Sequence, residues 1–315
     1  MVRRAVFVLL GILLTSPVAV IGPGSYRISR AAACTGGAER ARAAAARRTG
    51  VTRARDTQTL GHDEVARLLS GMPSTPRRIS GPITVPVRFH VIFAGGRGRL
   101  SQDEVESQLA AMNAAYAGET GGADTEVSFR LDTIDYTDNA AWFDHPQDDE
   151  KAMKTALRRG GAGTLNLYSA AVGSDLLGFA TFPQAYAAHP VLDGVVVDYR
   201  SLPGGSFQHF NRGYTAVHEV GHWLGLFHTF ENGCQAPGDA VDDTPYEAVP
   251  TNGCPVTKDT CTAPGDDPVH NFMDYGYDEC MTEFTAGQGG RIHSVWAAYR
   301  AAKASRRARD VGGAR

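Results

Sequence analysis

Eleven consecutive residues, His218-Glu219-Val220-Gly221-His222-Trp223-Leu224-Gly225-Leu226-Phe227-His228, combine three imidazoles with one carboxylate. His218 and His222 are four apart, so a helix sets them one turn apart on the same face. That spacing suits two nitrogen ligands of a zinc ion, which takes imidazole at about 2.0–2.1 Å. Glu219, beside the first ligand, would face the open coordination position. There it would take a proton from water and later hand it to a leaving amine. Gly225 follows the second histidine by three residues. A glycine adopts positive φ, stops the helix and turns the chain back, which lets His228 close the site. Three neutral histidines leave zinc its charge and one free position, the arrangement of catalytic rather than structural zinc. The competing account is an ordinary amphipathic helix with histidines satisfied in the core. The full pattern, with the glycine and third histidine, arises by chance in roughly one chain of this length in a hundred thousand, and that favours the metal site.

The chain has 315 residues, 43% hydrophobic and 21% charged, which allows an N-terminal extension plus one large domain or two small ones. Its charge is unevenly spread. Residues 1–80 hold 13 Arg and no Lys against 4 acids, and residues 301–315 hold 5 basic residues against 1 acid. Against a total of −3, that leaves residues 81–300 at −16. The basic residues fall in the segments least suited to folding, which excludes a nucleic-acid-binding face. Arg3 and Arg4, an apolar run over 5–14, Pro17 and the small residues after it read as an export signal over 1–33. A membrane anchor is the alternative, but 17 residues interrupted by Thr15, Ser16 and Pro17 are marginal for a span, so no stable span is expected after cleavage. The paired arginines only loosely resemble a twin-arginine signal. Secretion makes the cysteines interpretable. Cys234, Cys254, Cys261 and Cys280 all follow the zinc motif and suggest two disulfides, with three pairings open. A zinc-thiolate site is disfavoured because paired C-x-x-C elements are missing. Cys34 is left over.

The elements that must position the motif can be read from periodicity. Residues 34–80, rich in Ala, Arg, Thr and Gly, read as a prosegment whose only apolar period lies at 65–69. The run Ile83–Phe93 alternates and predicts a half-buried strand. Ser101 and Glu104 form a capping box before a helix with Val105, Leu109, Met112 and Tyr116 at helical spacing. Further strands are expected at 127–133, 165–169, 179–182 and 195–199, and a helix at 151–159. The zinc helix is expected from about Arg212 to Leu224. Thr285 and Gln288 make a second capping box, opening a C-terminal helix through Trp296 and Tyr299. The order is a mixed sheet with two helices, then a strand-poor, cysteine-stapled half. That is an α+β catalytic domain over 81–300, split near 228, followed by a basic tail over 301–315.

The zinc motif resembles the metzincin signature of metalloproteases. Asn271-Phe272-Met273-Asp274-Tyr275-Gly276 looks like the methionine turn that accompanies it, with Met273 an apolar, polarizable floor beneath the ligands. His228-Thr229-Phe230, the run 238–245, the run 271–275 and Cys280-Met281 with Phe284, Thr285, Gly287 and Gln288 together resemble the pappalysin family, close to its ulilysin-type members. The runs 177–183 and 193–197 match as well, and the similarity covers roughly 80–300.

The resemblance implies a metzincin-like fold: a mixed twisted sheet with a backing helix and an active-site helix, then a loop-rich subdomain with a C-terminal helix. It implies a secreted zinc endopeptidase acting on proteins or peptides and made as a latent zymogen. Tyr275 would hydrogen-bond the tetrahedral oxyanion. Gly178, Phe179, Ala180 and Thr181 would form the edge strand that takes up an extended substrate. The cysteines would pair as Cys234–Cys261 and Cys254–Cys280. Asp239, Asp242, Asp243 and Thr244 resemble a calcium site, with a solvated acidic turn as the alternative. Glu279 falls where relatives carry an acid at the base of the S1′ pocket, although Asp is expected there, and it would select Arg or Lys at P1′. Cys34 would be a prosegment thiolate that blocks zinc. The other readings of Cys34 are a lipid anchor and an idle thiol, and Pro76-Arg77-Arg78 is the candidate maturation cut. The rival from another class is a zinc-bearing binding or adhesion module that has lost catalysis. It conflicts with the retention of Glu219 beside every ligand.

Overall fold

The computed structural model describes residues 60, 62–72, 81–173 and 176–301. The export signal, Cys34, the Pro76-Arg77-Arg78 cut and the tail beyond 301 lie outside them. The described elements begin with helix α1 (His62–Ser70), strand β1 (Ile83–Phe93), helix α2 (Gln102–Tyr116), strand β2 (Val127–Asp138), helix α3 (Ala140–Asp144) and helix α4 (Glu150–Leu157). Strands β3 (Leu165–Ala170), β4 (Gly178–Ala180) and β5 (Val195–Asp198) and helices α5 (Tyr214–Trp223) and α6 (Ala286–Val295) follow. A π-helical turn, Trp296–Arg300, extends α6. This is the α+β architecture expected. No helix among the described residues is long and apolar enough to cross a membrane.

The sheet runs β2-β1-β3-β5-β4, parallel throughout except for β4, which pairs antiparallel to β5 at the edge. The central strands β3 and β5 are buried at every position, as strands covered on both faces must be. β2 runs past the expected 133 to Asp138. A register shift opposite Val87 and Arg88 carries it on, while its side chains become half-exposed and the alternation fades. The expected strand 179–182 is shorter and one residue earlier, and α5 is shorter than 212–224. Helix α3 was not expected; Asn139 caps it by accepting from the Trp142 N–H.

Both capping boxes are present, at Ser101 with Glu104 and at Thr285 with Gln288. Helix α2 buries Val105, Leu109, Met112 and Tyr116 in one core with Val85, Val87 and Phe89 of β1 and Val217 and Val220 of α5. It also holds α5 by polar bonds. The Tyr116 hydroxyl donates to the Val217 carbonyl at 3.0 Å and the Gln108 amide to the Gly213 carbonyl at 2.9 Å. At the other end of α5, Arg300 is buried over Trp223, its guanidinium 3.5 Å from the ring, and it donates to the Trp223 carbonyl at 2.7 Å and to Asp193 at 3.1 Å. A charged group that deep is tolerable only when paired and hydrogen-bonded. The zinc helix is thus clamped at both ends before its side chains are considered.

Candidate active site

The ligand atoms of His218, His222 and His228 lie within 4.8 Å of one another, the only such group of three or more His, Cys, Asp or Glu among the described residues. The Nε2 atom of His222 is 3.2 Å from Nε2 of both His218 and His228. The opposite nitrogens are engaged elsewhere. Nδ1 of His218 lies 2.7 Å from the Phe272 carbonyl, that of His222 2.8 Å from the Leu226 carbonyl, and that of His228 3.3 Å from the buried Glu231 carboxylate. Carbonyl oxygens only accept, so those Nδ1 atoms carry the protons and the Nε2 lone pairs turn to one point. Two lone pairs facing each other repel unless a cation lies between them. The edge of a tetrahedron with 2.0–2.1 Å metal–nitrogen bonds is about 3.3–3.4 Å, close to what is found, so the donor set fits zinc.

Gly225 makes the turn at φ +99°, and a side chain there would meet Val295 at 2.6 Å. Met273 is fully buried with its sulfur against the zinc helix; a Cβ at Gly221 would lie 2.4 Å from Sδ. The Tyr275 hydroxyl is 3.2 Å from Nε2 of His228. The Glu219 carboxylate is buried and packs against β4, where a Cβ at Gly178 would lie 2.8 Å from its Cγ and 3.0 Å from Oε1. Gly178 thus makes room for that carboxylate as well as belonging to the edge strand. Phe179 and Ala180 complete β4, while the Thr181 hydroxyl is 3.1 Å from the Leu192 and Gly194 carbonyls and accepts from the Gly194 N–H. Thr181 therefore secures its own loop.

A cleft opens beside the metal point, lined by His218, Glu219, Tyr275 and a mostly apolar wall that includes Leu177, Phe210 and Met281. Besides Glu219, the acids that line it are Asp274 and Asp278, and Glu279 is not among them. Glu279, the acid expected there from the sequence, is a third exposed and bound to Nδ1 of His209 at 2.6 Å. Asp278 is buried and accepts from the Arg212 N–H at 2.7 Å and from the Tyr214 N–H, so it also caps the start of α5. Burial pushes its carboxyl up to about 7.

The structure joins Cys234 to Cys261 and Cys254 to Cys280, the pairing that the family resemblance implies. Asp239, Asp242 and Asp243 form no group of three metal-ligating side chains among the described residues, while the Asp239 carboxylate is hydrogen-bonded to Thr244. Asp243 accepts from the Thr285 hydroxyl at 2.7 Å and the Gly287 N–H at 2.8 Å at the start of α6. Asp239 is buried and accepts from the Val241 N–H, and Asp242 is exposed. Sequence reasoning missed Glu231, three residues beyond the third histidine, and Asp278; in a coil, a single acid carries no period that would single it out.

The family model described as "Pregnancy-associated plasma protein-A" matches residues 167–297. An extracellular metalloprotease of Arthroderma benhamiae is 40% identical over 230 residues, covering 71% of this chain and 76% of that protein. Another, of Colletotrichum graminicola, is 45% identical over 228 residues, covering 70% and 79%. Among solved structures, mature mirolysin of Tannerella forsythia in complex with a cleaved peptide superposes with a TM-score of 0.61 at 29% identity, covering 69% of this chain and 93% of that one.

Proposed function

The chain belongs to the pappalysin family of metzincin zinc metalloproteases, and on that premise we propose that it is a secreted endopeptidase cutting peptide bonds before Arg or Lys. When bound to the three histidines, zinc supplies Lewis acidity toward a carbonyl oxygen and makes water a better nucleophile. The protein's own groups do the rest. Glu219 takes the proton from the attacking water and delivers it to the leaving amine. The Tyr275 hydroxyl donates to the oxygen on which negative charge develops. β4 takes the extended substrate as an added strand, the placement its edge position favours. That a relative's structure holds a cleaved peptide is consistent with this use of the cleft.

The observation that carries the P1′ preference is Asp278, a buried carboxylate in the apolar wall of the cleft beside Glu219. Two backbone N–H groups occupy part of its acceptor capacity, and a carboxylate has about four lone-pair sites, so room remains for a guanidinium or ammonium. Peptides differing only at P1′ test it. Arg and Lys peptides should be cut at least about tenfold faster than Leu peptides, and Asp278→Asn should erase the difference. Equal cleavage by the wild type sinks the preference and leaves the protease reading intact. Glu219→Ala separates an enzyme from a binding module, since hydrolysis of casein must vanish with it.

Latency is proposed on a second observation. Helix α1, inside the 34–80 segment, docks Val65 beside Phe182 and Phe227, and Phe182 meets the ring of His222 edge-on at 5.3 Å. A prosegment anchored there is held to the face that carries the metal site. Cys34→Ala should yield a precursor that is active too early; unchanged latency rejects the thiolate block and leaves a lipid anchor or an idle thiol at Cys34.

A further inference from the structure

The loop half of the molecule contains a cage of oxygens around an ammonium group. Lys258 Nζ is bound to the buried Glu247 carboxylate, to the Val249 carbonyl at 2.5 Å, to the Thr251 hydroxyl at 3.2 Å and to Asp267 Oδ2 at 3.1 Å. Both acids are buried, and Lys258 keeps only 16% of its side chain exposed. The four oxygens come from four residues spread over 247–267, and the chain from Cys254 to Cys261 that carries Lys258 is tied by a disulfide at each end.

This cage touches the active site through two short routes. Thr229, next to the third histidine, donates its hydroxyl to Glu247 Oε2 at 2.7 Å and its N–H to the Met273 carbonyl at 3.2 Å. Thr251 donates its hydroxyl to Glu247 Oε1 at 3.1 Å and its N–H to Asp274 Oδ1 at 2.9 Å, and the same Oδ1 accepts the Tyr275 N–H at 2.7 Å. Glu247 thus stands one bond from the segment bearing His228 and two from the segment bearing Tyr275. Two buried carboxylates sharing so small a volume repel, and a segment without strands or helices has no backbone ladder to hold them together. Burial and the Asp274 charge raise the Glu247 carboxyl to about 7, and the Lys258 ammonium pulls against both.

We propose that Lys258 is a built-in cation, a positioning residue whose ammonium occupies an oxygen cage suited to a hard metal ion and thereby fixes His228 and Tyr275 in the catalytic cleft. Carboxylate, hydroxyl and carbonyl oxygens are the ligands a calcium ion takes. A tethered ammonium supplies one positive charge there without an ion that must be captured from the medium. Removing the lysine side chain should therefore convert the cage into a calcium site. With four protein oxygens and the rest water, its affinity should fall in the range of about 10⁻⁴–10⁻³ M seen for weak extracellular sites.

The test uses the zinc-loaded full chain in buffer freed of calcium on a chelating resin, with calcium chloride titrated back. Wild-type Tm and peptide hydrolysis should not respond to calcium. Lys258→Ser should melt lower by roughly 5–10 °C and lose about tenfold in kcat with little change in KM, and millimolar calcium should restore both over one concentration range. Lys258→Met fills the volume without a charge and should be impaired in the same way but not restored. A Lys258→Met protein with wild-type Tm and kcat overturns the proposal, as does a Lys258→Ser protein whose losses calcium does not reverse. The kcat arm rests on the protease reading; Tm and calcium titration do not, so a failure of either idea is distinguishable from a failure of the other.

Discussion

The two sides of the catalytic cleft are built by different physics. Up to Trp223, the chain forms a five-stranded sheet whose core joins β1, α2 and α5, and its polar backbone is satisfied by regular ladders. Between Trp223 and Ala286 there is no helix or strand, only isolated bridges such as Gly253 with Gly276 and Asn271 with Glu283. Two disulfides, the Lys258 cage and the buried Asp274 and Asp278 tie that half together. Yet each half contributes to the same site: His218, His222 and Glu219 come from a packed helix, and His228, Met273, Tyr275 and Asp278 come from the loops. Packing sets the helix-borne groups, because a helix moves as a unit. Point ties, together with Phe272, Met273, Met281 and Phe284 packed into the common core, set the loop-borne groups. Chemistry should therefore be most sensitive to the helix, and order and selectivity to the loops.

The largest contrast comes from Glu219→Gln, which should lower kcat by about 10²–10⁴ with zinc content and circular dichroism unchanged. Next is the loop half on its own. Replacing Cys254 and Cys280 with Ser opens a 26-residue closed loop and should cost about 3–4 kcal/mol. Hydrogen exchange should show residues 229–285 opening before the sheet; uniform loss of protection across both halves would break the comparison. Gly178→Ala tests the packing inside the sheet half, where β4 meets the zinc helix. Its methyl group would meet both Glu219 and the Val196 carbonyl, so kcat/KM should fall by about 10²-fold and Tm should fall as well. The smallest effect is a pH dependence of selectivity. Asp278 is raised to about 7, so it is neutral below that pH and charged above it. The ratio of cleavage before Arg to cleavage before Leu should thus rise between pH 6 and 8 by up to about tenfold. In Asp278→Asn the ratio should be flat, and a wild-type ratio that falls as pH rises would falsify the assignment of Asp278.

What was legible follows the same division. The strand Ile83–Phe93, the capping boxes at Ser101 and Thr285 and the Gly225 turn are legible in the sequence, because each depends on residues a few positions apart. β2 extends beyond its alternating stretch because its outer half is only partly buried, which blurs the period. Asp278 lines the cleft and its neighbour Glu279 does not. Whether residue 278 or 279 turns inward depends on the Asp278 N–H bond to the His209 carbonyl and on the Arg212 N–H, both about 70 residues away in the chain. No local pattern contains that information. Lys258 illustrates the same gap: as sequence it is one lysine between two cysteines, and its role exists only because Glu247, Val249, Thr251 and Asp267 surround it.

The sequence by itself determined the reaction class. Three imidazoles and a carboxylate at helical and turn spacing define a metal point and a base within eleven residues, since one helical turn and one glycine set their geometry. Only the tertiary structure decided what surrounds that point. It put Gly178 against Glu219, Glu231 behind His228, Asp278 in the cleft and an ammonium among four oxygens behind the loops. Those contacts join residues tens of positions apart, and their meaning lies in burial and charge pairing, which arise only when the chain closes on itself.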